Sequence, residues 1–253
     1  DIVHVSGKVS PIDDIEIINT ELILSDLSIV EKLYQKAQKN TKSGQKEGMP
    51  MKELVEKILT ALKEGTSLRK LTFGKEELVL LKNFQLLTLK PVLYVANVNE
   101  SGFENNPHLD LILDYATQDH SKVVPICAEI EAEICELSND EKKEFLLEMG
   151  QNESGLDRLI KAGYDLLGLH TYFTAGEKEV KAWTITVGDS APVAAGKIHT
   201  DFEKGFIRAE TISFQDYIDY KGEKGAKDAG KLRTEGKDYV VKDGDIMHFL
   251  HNT

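Results

Sequence analysis

The 253-residue sequence predicts an α/β fold, and three successive patterns along the chain support this prediction. Apolar residues recur at helical spacing near the start, strand and helix patterns then alternate to about residue 168, and short strands dominate from residue 169 onward. Strands that alternate with helices are typical of a parallel sheet covered by helices. The sequence therefore predicts a helical arm, an α/β sheet and a small α+β unit, in that order.

The long helical arm is predicted from an apolar stripe that runs from Ile15 to about Lys39. Asp26 falls on the opposite, polar face of the same helix. A polar stretch over 40–50 indicates a loop, and a second helix follows with Leu54, Ile58 and Leu62 on its apolar side. Two antiparallel helices around a polar tip form a coiled-coil-like arm. The stripe of the first helix consists of Ile15, Ile18, Leu22, Leu27, Val30, Leu33 and Ala37.

The middle of the chain predicts two buried parallel strands joined by a helix. The strands are Leu89–Ala96 and Lys122–Ala128, and the helix is Pro107–Thr117. Ligands of such sheets bind just beyond the carboxyl ends of the strands. Asn97–Glu100 and Cys127–Glu129 fall at those two ends. Two further helices are predicted at Asp140–Met149 and Ser154–Leu167, the second capped by Ser154.

The C-terminal part has the pattern of a small α+β unit. Its predicted strands are Tyr172–Thr174, Ala182–Val187, Phe206–Ile212, Tyr239–Lys242 and Ile246–Leu250. Its predicted helices are Ala191–His199 and Phe214–Tyr220, and Trp183 and Phe206 are interpreted as core residues. The lysine-rich segment Tyr220–Lys237 leaves two interpretations open, a contact with ribosomal RNA phosphates or a solvated loop and helix.

Composition and charge limit the classes of protein to which the chain can belong. Hydrophobic residues make up 41% and charged residues 29%, which is enough for a sizeable core and argues against global disorder. A formal net charge of −12 disfavours a protein that coats DNA or other nucleic acid through overall charge. No apolar run approaches the roughly 20 residues of a membrane helix, and no signal-peptide pattern occurs, so no membrane partner is expected.

The sparse cysteines and histidines predict no metal centre. Cys127 and Cys135 are too few for a disulfide scaffold and indicate a reducing, cytoplasmic location. With no clustered histidine they are interpreted as buried thiols. His248 and His251 lie on a predicted strand and tail, which lacks the one-face geometry of a helical metal pair. Glu131 and its acidic neighbours are interpreted as the charge of solvated helix faces.

The tetrapeptide Asn97-Val98-Asn99-Glu100 is the most informative motif of the sequence. In GTP-binding folds a loop reading Asn-Lys-x-Asp binds the base, and a later Ser-Ala or Cys-Ala loop, here Cys127-Ala128, offers backbone amides. Val98 replaces the lysine and Glu100 replaces the aspartate that accepts two N–H groups of guanine. Adenine has no such pair of donors on that edge. Taken alone, the tetrapeptide is more typical of a polar turn at a strand end than of a base-binding loop.

Longer segments carry a closer resemblance to a known family. They are HVSGKVSPIDDIEIINTEL, TLKPVLYVANVNESGFENNP, VVPICAEIEAEI, YFTAGEKEVKAWTI, GKIHTDFEKGFIRAETISFQDYI and EGKDYVVKDGDIMHF. With these segments the chain resembles the YchF / Obg-like ATPase family over essentially its whole length. The resemblance implies a translation-factor-related P-loop NTPase that prefers ATP to GTP, uses Mg²⁺, binds ribosomes and is a monomer.

The same resemblance implies a domain organisation. A nucleotide-binding G domain, incomplete in these residues, would comprise 1–22 and 87–168. It would be interrupted by a helical coiled-coil insert at 23–86. A C-terminal TGS domain of ubiquitin-like β-grasp shape would comprise 169–253.

Site residues are implied by matching the family's motifs to this sequence. Asn97 matches the base-binding asparagine, Val98 the hydrophobic residue beside adenine, and Glu100 the altered acidic position. Cys127 and Ala128 match the amide-bearing loop. His4, in DIVHVSGKV, matches a histidine that replaces the usual catalytic glutamine in positioning the attacking water. A neutral imidazole can orient that water or accept its proton.

The sequence departs from the family at one important point. No G-x-x-x-x-G-K-[ST] pattern, which cradles phosphates and places a magnesium-binding hydroxyl, occurs in the 253 residues. The magnesium ligands and phosphate loop are therefore expected in an N-terminal region before Asp1. The alternative is a catalytically silent ribosome- or RNA-binding fragment.

Overall fold

The computed structural model describes residues 7, 9–42, 49–176 and 178–252. The chain divides into two compact units, residues 1–162 and residues 163–253. Separate clusters of buried apolar side chains lie within each unit. None of the helices in the described ranges is both long and apolar enough to cross a lipid bilayer.

Two long helices begin the first unit, as the apolar stripe predicts. Helix α1 spans Pro11–Lys42, α2 spans Met49–Lys63 and the shorter α3 spans Lys75–Lys82. Single 3₁₀ turns occur at Leu68–Lys70 and Leu87–Leu89. The cluster that fills the arm contains buried side chains from the three helices, from the first 3₁₀ turn and from the residue before the second, among them Val30, Ile58, Leu62, Leu68, Leu81 and Leu86.

The predicted stripe of α1 is correct for Val30 and Ala37, which are buried, and wrong for Ile18, which is 54% exposed. The buried cluster of the arm begins at Ile23, more than one turn after Ile18. The first turns of α1 therefore lie outside the arm core, although helical spacing continues the stripe through them.

Asp26 is fully buried, which corrects its predicted place on the polar face of α1. Its carboxylate accepts hydrogen bonds from the backbone N–H groups of Leu87 and Thr88 at 2.9 and 2.7 Å. The Thr88 hydroxyl donates a third at 2.7 Å. These donors satisfy the carboxylate without solvent and fix the 3₁₀ turn that leads toward the sheet.

A buried polar cluster lies where the arm meets the sheet. The guanidinium of Arg69 and the ammonium of Lys70 both lie 3.1 Å from the carboxylate of Asp119, which also accepts hydrogen bonds from Tyr94 and Ser121. Burial alone would raise the pKa of Asp119, but the hydrogen bonds from Lys70 and Ser121 and the two positive charges outweigh it and lower that pKa. Burial, followed by the charge of Asp119, raises the pKa of Tyr94 to about 12.

The sheet of the first unit consists of two parallel strands. Strand β1 spans Leu93–Asn97 and β2 spans Lys122–Ile126, with Leu93 opposite Lys122 and Asn97 opposite Ile126. Helix α4, Pro107–Gln118, connects them. The predicted strand–helix–strand order is confirmed, with β1 beginning four residues later than predicted because Leu87–Leu89 forms a 3₁₀ turn and Pro91 follows it.

Three helices follow β2. They are α5 at Ala128–Glu136, α6 at Asn139–Glu148 and α7 at Gly155–Leu167. The predicted cap of α7 is confirmed, since the Ser154 hydroxyl accepts a hydrogen bond from the backbone N–H of Asp157 at 3.1 Å. Ile130 and Ile134 of α5 pack with Leu146 of α6 in a small buried cluster.

The second unit contains a five-stranded mixed sheet. Its strand order is β4-β3-β7-β5-β6, with β3 parallel to β7 and the other neighbouring pairs antiparallel. The first and last strands of the unit lie side by side at the centre, which is the order of the β-grasp fold. The strands are β3 Leu169–Ala175, β4 Val180–Thr186, β5 Phe206–Ile212, β6 Arg233–Glu235 and β7 Ile246–His251.

The helices of the second unit are short, and its core contains the predicted aromatic residues. They are α8 Ala191–Ile198, α9 Thr200–Lys204, α10 Phe214–Asp219 and α11 Glu223–Asp228. Phe206 is buried and Trp183 packs against the same cluster, which confirms both as core residues.

The strand predicted at Tyr239–Lys242 does not form. Val240 makes an isolated antiparallel bridge with Ser190, and Tyr239 accepts a backbone hydrogen bond from Ala191. The Tyr239 hydroxyl donates to the buried carboxylate of Asp245 at 2.7 Å, which holds this segment as a loop against the sheet. The edge strand is instead β6, which the sequence pattern did not predict.

Candidate functional site

The carboxyl ends of β1 and β2 are joined by a side chain from the predicted motif. The amide oxygen Oδ1 of Asn97 accepts a hydrogen bond from the backbone N–H of Ala128 at 3.1 Å. One residue further on, the N–H of Val98 donates to the carbonyl of Ile126 at 2.8 Å. The two strand ends that the sequence singled out are therefore adjacent, and the side chain of Asn97 also holds the start of α5.

The loop after β1 folds back on itself through Gly102 and Asn106. The Gly102 N–H donates to the carbonyl of Asn99 at 2.9 Å, and the Asn106 side chain donates to the carbonyl of Gly102 at 3.0 Å. A Cβ atom on Gly102 would lie 2.5 Å from Oδ1 of Asn99 and 3.1 Å from Cβ of Val98. A larger residue at this position would therefore force part of the loop to shift, because two parts of the loop approach closely.

Asn106 also starts helix α4. Its Oδ1 accepts hydrogen bonds from the backbone N–H groups of His108 and Leu109 at 3.1 and 3.3 Å. Neither Gly102 nor Asn106 is among the site residues predicted from the sequence. The N-cap role of Asn106 could have been predicted, because an asparagine directly before Pro107 is the pattern of a helix N-cap followed by proline at the first helical position.

An open cleft of about 660 Å³ lies beside this loop. Asn97, Val98 and Asn99 line it from the strand end, and His108 and Ile112 line it from α4. Clefts of about 300–1,000 Å³ are the usual size for small-molecule sites. The cleft therefore has room for a flat heterocycle beside Asn97 and Val98.

The other predicted site residues lie in different surroundings. Glu100 is exposed in the turn after β1 and is not among the residues that line the cleft. Cys127 is buried and is the N-cap residue of α5, and Ala128 is its first residue. Cys135 is exposed, so its interpretation as a buried thiol is wrong. His4 lies outside the described residues.

Glu131 holds the start of helix α7, which corrects its interpretation as solvated charge. Its two carboxylate oxygens accept hydrogen bonds from the backbone N–H groups of Gly155 and Leu156 at 2.7 and 3.1 Å. Arg158 of α7 donates to the carbonyl of Pro125 in β2 at 3.2 Å. The first turn of α5, which begins at the candidate site, is thus tied to the start of α7.

A metal centre cannot be assigned to this part of the molecule. Within the described ranges, no group of three or more His, Cys, Asp or Glu side chains lies close enough together to hold a metal ion. The described site therefore offers an amide side chain, backbone N–H groups and an apolar side chain. An amide side chain can hydrogen-bond to a base, and an apolar side chain can pack against its face.

Comparison with known proteins identifies relatives over nearly the whole chain. Residues 169–252 match the YchF-GTPase_C family model, described as a protein of unknown function (DUF933). A protein from Escherichia coli O157:H7 named "Ribosome-binding ATPase YchF" is 58% identical over 251 residues, which are 99% of this chain and 69% of the relative. A protein of the same name from Bacillus subtilis (strain 168) is 51% identical over 254 residues, with the same two coverages.

A solved structure is also similar to this chain. The YchF GTPase of Schizosaccharomyces pombe matches with a TM-score of 0.85 and 36% sequence identity, covering 99% of this chain and 68% of that one. The similarity extends through the arm, the two-stranded sheet and the C-terminal unit. The chain belongs to the YchF family.

Proposed function

We propose that this chain is the base-recognising and ribosome-binding part of an ATPase that hydrolyses ATP to ADP and phosphate. The hydrogen bond from the Ala128 N–H to Asn97 carries the proposal, because it joins the two strand ends at which a base would bind. Relatives named ribosome-binding ATPase support the activity and the partner. The nucleotide state would control how tightly the protein binds ribosomes in translation or stress regulation.

Base selectivity is proposed to arise from the replaced motif residues. Val98 presents an apolar surface to adenine, and Asn97, whose Oδ1 accepts the N–H of Ala128, offers its side-chain NH2 group to the base. Glu100 stands where an aspartate would accept two N–H groups of guanine. Glu100 is exposed and does not line the cleft, so the two N–H groups of a bound guanine would lack this acceptor. A polar group left unpaired in a site costs about 1–3 kcal/mol, which corresponds to roughly one or two decades of preference for ATP.

Hydrolysis is proposed for the full-length protein. The 253 residues contain no phosphate-loop pattern, and they span 69% of the length of the relatives named above. Mg²⁺, when bound, would neutralise charge that develops on the phosphates. The resemblance assigns to His4 the task of orienting the attacking water. We expect His4→Ala to slow single-turnover ATP hydrolysis while ATP affinity stays constant, and an unchanged rate would remove this role.

The domain organisation belongs to the same proposal. The insert at 23–86 is supported by the arm cluster, whose buried members run from Ile23 to Leu86. The remaining residues up to 168 would form the nucleotide-binding part, and 169–253 would form a TGS domain. The arm and TGS domain would contact the ribosome in the cytoplasm, with the protein acting as a monomer.

A second candidate is a ribosome- or RNA-binding module without catalysis. The absence of a phosphate-loop pattern from the 253 residues favours it for the chain on its own. Co-sedimentation of the full-length protein with ribosomal subunits, with and without ATP, separates the two candidates. Binding that changes with ATP supports the ATPase, binding indifferent to ATP supports the module, and no binding contradicts both.

A further inference from the structure

The start of helix α7 packs against the end of β2, next to the place where a base is proposed to bind. A Cβ atom on Gly155, the first residue of α7, would lie 3.1 Å from Cγ2 of Ile126. Gly155 and the preceding Ser154 are both buried. We call residues 126–128, which lead from the last residue of β2 to the first residue of α5, the base loop. The first turn of α7 is therefore in direct contact with the base loop.

The carbonyl of Pro125 points away from β1, at the outer edge of β2. The next carbonyl, that of Ile126, faces β1 and accepts the N–H of Val98, and successive carbonyls of a strand point to opposite sides. The Nη2 atom of Arg158 donates to the Pro125 carbonyl at 3.2 Å. Because proline has no backbone N–H, this bond pairs the only backbone polar group that Pro125 offers. Arg158 therefore fixes the outer edge of β2 immediately before the base loop.

The guanidinium of Arg158 is itself held in a fixed orientation. Its Nη1 atom donates to Oε1 of Gln151 at 2.6 Å and to the carbonyl of Glu153 at 3.2 Å. A guanidinium presents its donors in a rigid planar fork, so the contacts of Nη1 also fix the direction in which Nη2 points. Arg158 is therefore a rigid connection between the start of α7 and β2.

The carboxylate of Glu131 makes a second connection between α7 and the base loop. It accepts the N–H groups of Gly155 and Leu156, as described above, and a negative charge is favourable at the N-terminal end of a helix. The N–H of Glu131 donates to the carbonyl of Cys127 in the base loop at 3.0 Å. The base loop is thus connected to α7 on both sides, before it through Pro125 and after it through Glu131.

We propose that Arg158 and Glu131 are positioning residues of the base site. They hold the base loop from the side of α7, while Asn97 holds it from the side of β1 through the N–H of Ala128. A loop that is held from one side only occupies its binding position for a smaller fraction of the time, and the apparent affinity for a ligand falls by that fraction. The inference rests on the proposed function, since it takes the base loop as part of the nucleotide site.

The test compares the ATP affinities of full-length proteins by isothermal titration calorimetry. Arg158→Gln removes the donor to Pro125, and Arg208→Gln, at an exposed arginine of β5, is the matched control. The unchanged protein, Asn97→Ala and the double variant of Asn97→Ala with Arg158→Gln complete the set. Calorimetry measures the stoichiometry together with the affinity, so a loss of folded protein is separated from weaker binding by folded protein.

We expect Arg158→Gln to weaken ATP binding about fivefold, as for a loop that occupies its binding position about one fifth of the time. The stoichiometry should stay that of the unchanged protein, and Arg208→Gln should bind ATP as the unchanged protein does. In the Asn97→Ala background, the Arg158 change should weaken binding less than about twofold, because the base loop is already released. A purely structural role of Arg158 would give the same fold-change in both backgrounds.

Hydrogen exchange without nucleotide measures the position of the base loop directly. The amide of Ala128, which donates to Asn97, should exchange faster in Arg158→Gln, while amides in the middle of α2 keep their protection. If Arg158→Gln does not fold, Glu131→Gln makes the same test, because it keeps the shape of the side chain and replaces one of two acceptor oxygens by a donor. Faster exchange at Ala128 and weaker ATP binding are expected for this variant too.

The remaining outcomes separate this inference from the proposed function. Equal affinities of Arg158→Gln and Arg208→Gln, or equal fold-changes with and without Asn97, overturn the inference, while ATP binding by the unchanged protein leaves the proposed function intact. A lower stoichiometry at unchanged affinity also overturns it, since Arg158 then serves folding alone. No ATP binding by the unchanged protein contradicts the proposed function, and the exchange rate of the Ala128 amide then decides whether Arg158 positions the loop.

Discussion

The Nη2 atom of Arg69 lies 3.1 Å from Oδ2 of Asp119, and the two side chains are only 7% and 1% exposed. This ion pair joins the 3₁₀ turn of the arm to the end of α4. Lys70 and Tyr94 add further contacts to the same carboxylate. The arm is therefore attached to the sheet by a buried ion pair. If the Asp119 charge were lost, water could not reach Arg69 to solvate its charge.

Replacing Asp119 with Asn should destabilise the first unit strongly. The change leaves the charge of Arg69 buried beside a neutral amide, and breaking a buried pair in this way costs about 3 kcal/mol or more. Urea unfolding followed by far-UV circular dichroism measures the loss. Asp114→Asn, at an exposed position of the same helix, is the control and should change stability little. Equal stability of the two variants would show that the ion pair does not hold the arm.

Acid should weaken the same attachment. The folded-state pKa of Asp119 lies below its ordinary value, so its contribution is fully present above the unfolded-state pKa of about 3.9. That contribution is lost as the pH falls from there through the folded-state pKa. Unfolding free energies at pH 5 and at lower pH should therefore fall more steeply for the unchanged chain than for Asp119→Asn. Parallel curves would mean that Asp119 has no depressed pKa.

Much of the arm and sheet could be predicted because local spacing and burial agree there. Val30 and Ile58 lie on apolar stripes and are buried, and the strand ends at Asn97 and Ile126 meet because parallel strands share an edge. Asp26 could not be placed from spacing, since its partners at Leu87 and Thr88 lie about 60 residues away in sequence.

The missed features depend on contacts that are distant in sequence or on competing bonds. Glu131 has the sequence context of a surface charge. Its partners, the N–H groups of Gly155 and Leu156, lie about 24 residues further along the chain, at the start of α7. Tyr239 has a strand-like sequence context, but its hydroxyl bonds to Asp245 and keeps the segment out of the sheet ladder. The role of His4 stays a prediction.

Glu131→Ala should loosen the start of α7. Two backbone donors would lose their acceptor, and the loss of a helix cap costs about 1–2 kcal/mol. Glu133→Ala, on the exposed side of the same helix, is the matched control. Hydrogen exchange of the Gly155 and Leu156 amides should accelerate in the Glu131 variant alone. Unchanged protection would contradict the capping role.

Gly102→Ala should disturb the candidate site without unfolding the protein. A methyl group would lie 3.1 Å from Cβ of Val98 and 3.2 Å from the carbonyl oxygen of Asn99, so the loop must shift. We expect ATP affinity of the full-length protein to fall about tenfold, equivalent to about 1.4 kcal/mol. Gly236→Ala, where an added Cβ meets nothing within 4 Å, should leave affinity unchanged. Equal affinity in both variants would place the nucleotide elsewhere.

Asn97→Ala removes the acceptor that holds the N–H of Ala128 and should free the loop at Cys127 and Ala128, while the backbone pairing of β1 and β2 stays in place. The affinity of the full-length protein for ATP should fall by about tenfold or more, because both the base-binding side chain and the position of this loop are lost. Asn152→Ala, an exposed asparagine in the same unit, is the control. Similar affinities in the two variants would mean that Asn97 does not organise the site.

We propose that the ends of β1 and β2 recognise adenine in preference to guanine. Equilibrium titration of the full-length protein with ATP and with GTP, for the unchanged protein and for Glu100→Asp, measures this preference. We expect ATP to bind about 10- to 100-fold more tightly than GTP, and the aspartate variant to narrow this ratio by restoring the acceptor for guanine. Equal or tighter binding of GTP by the unchanged protein would contradict it.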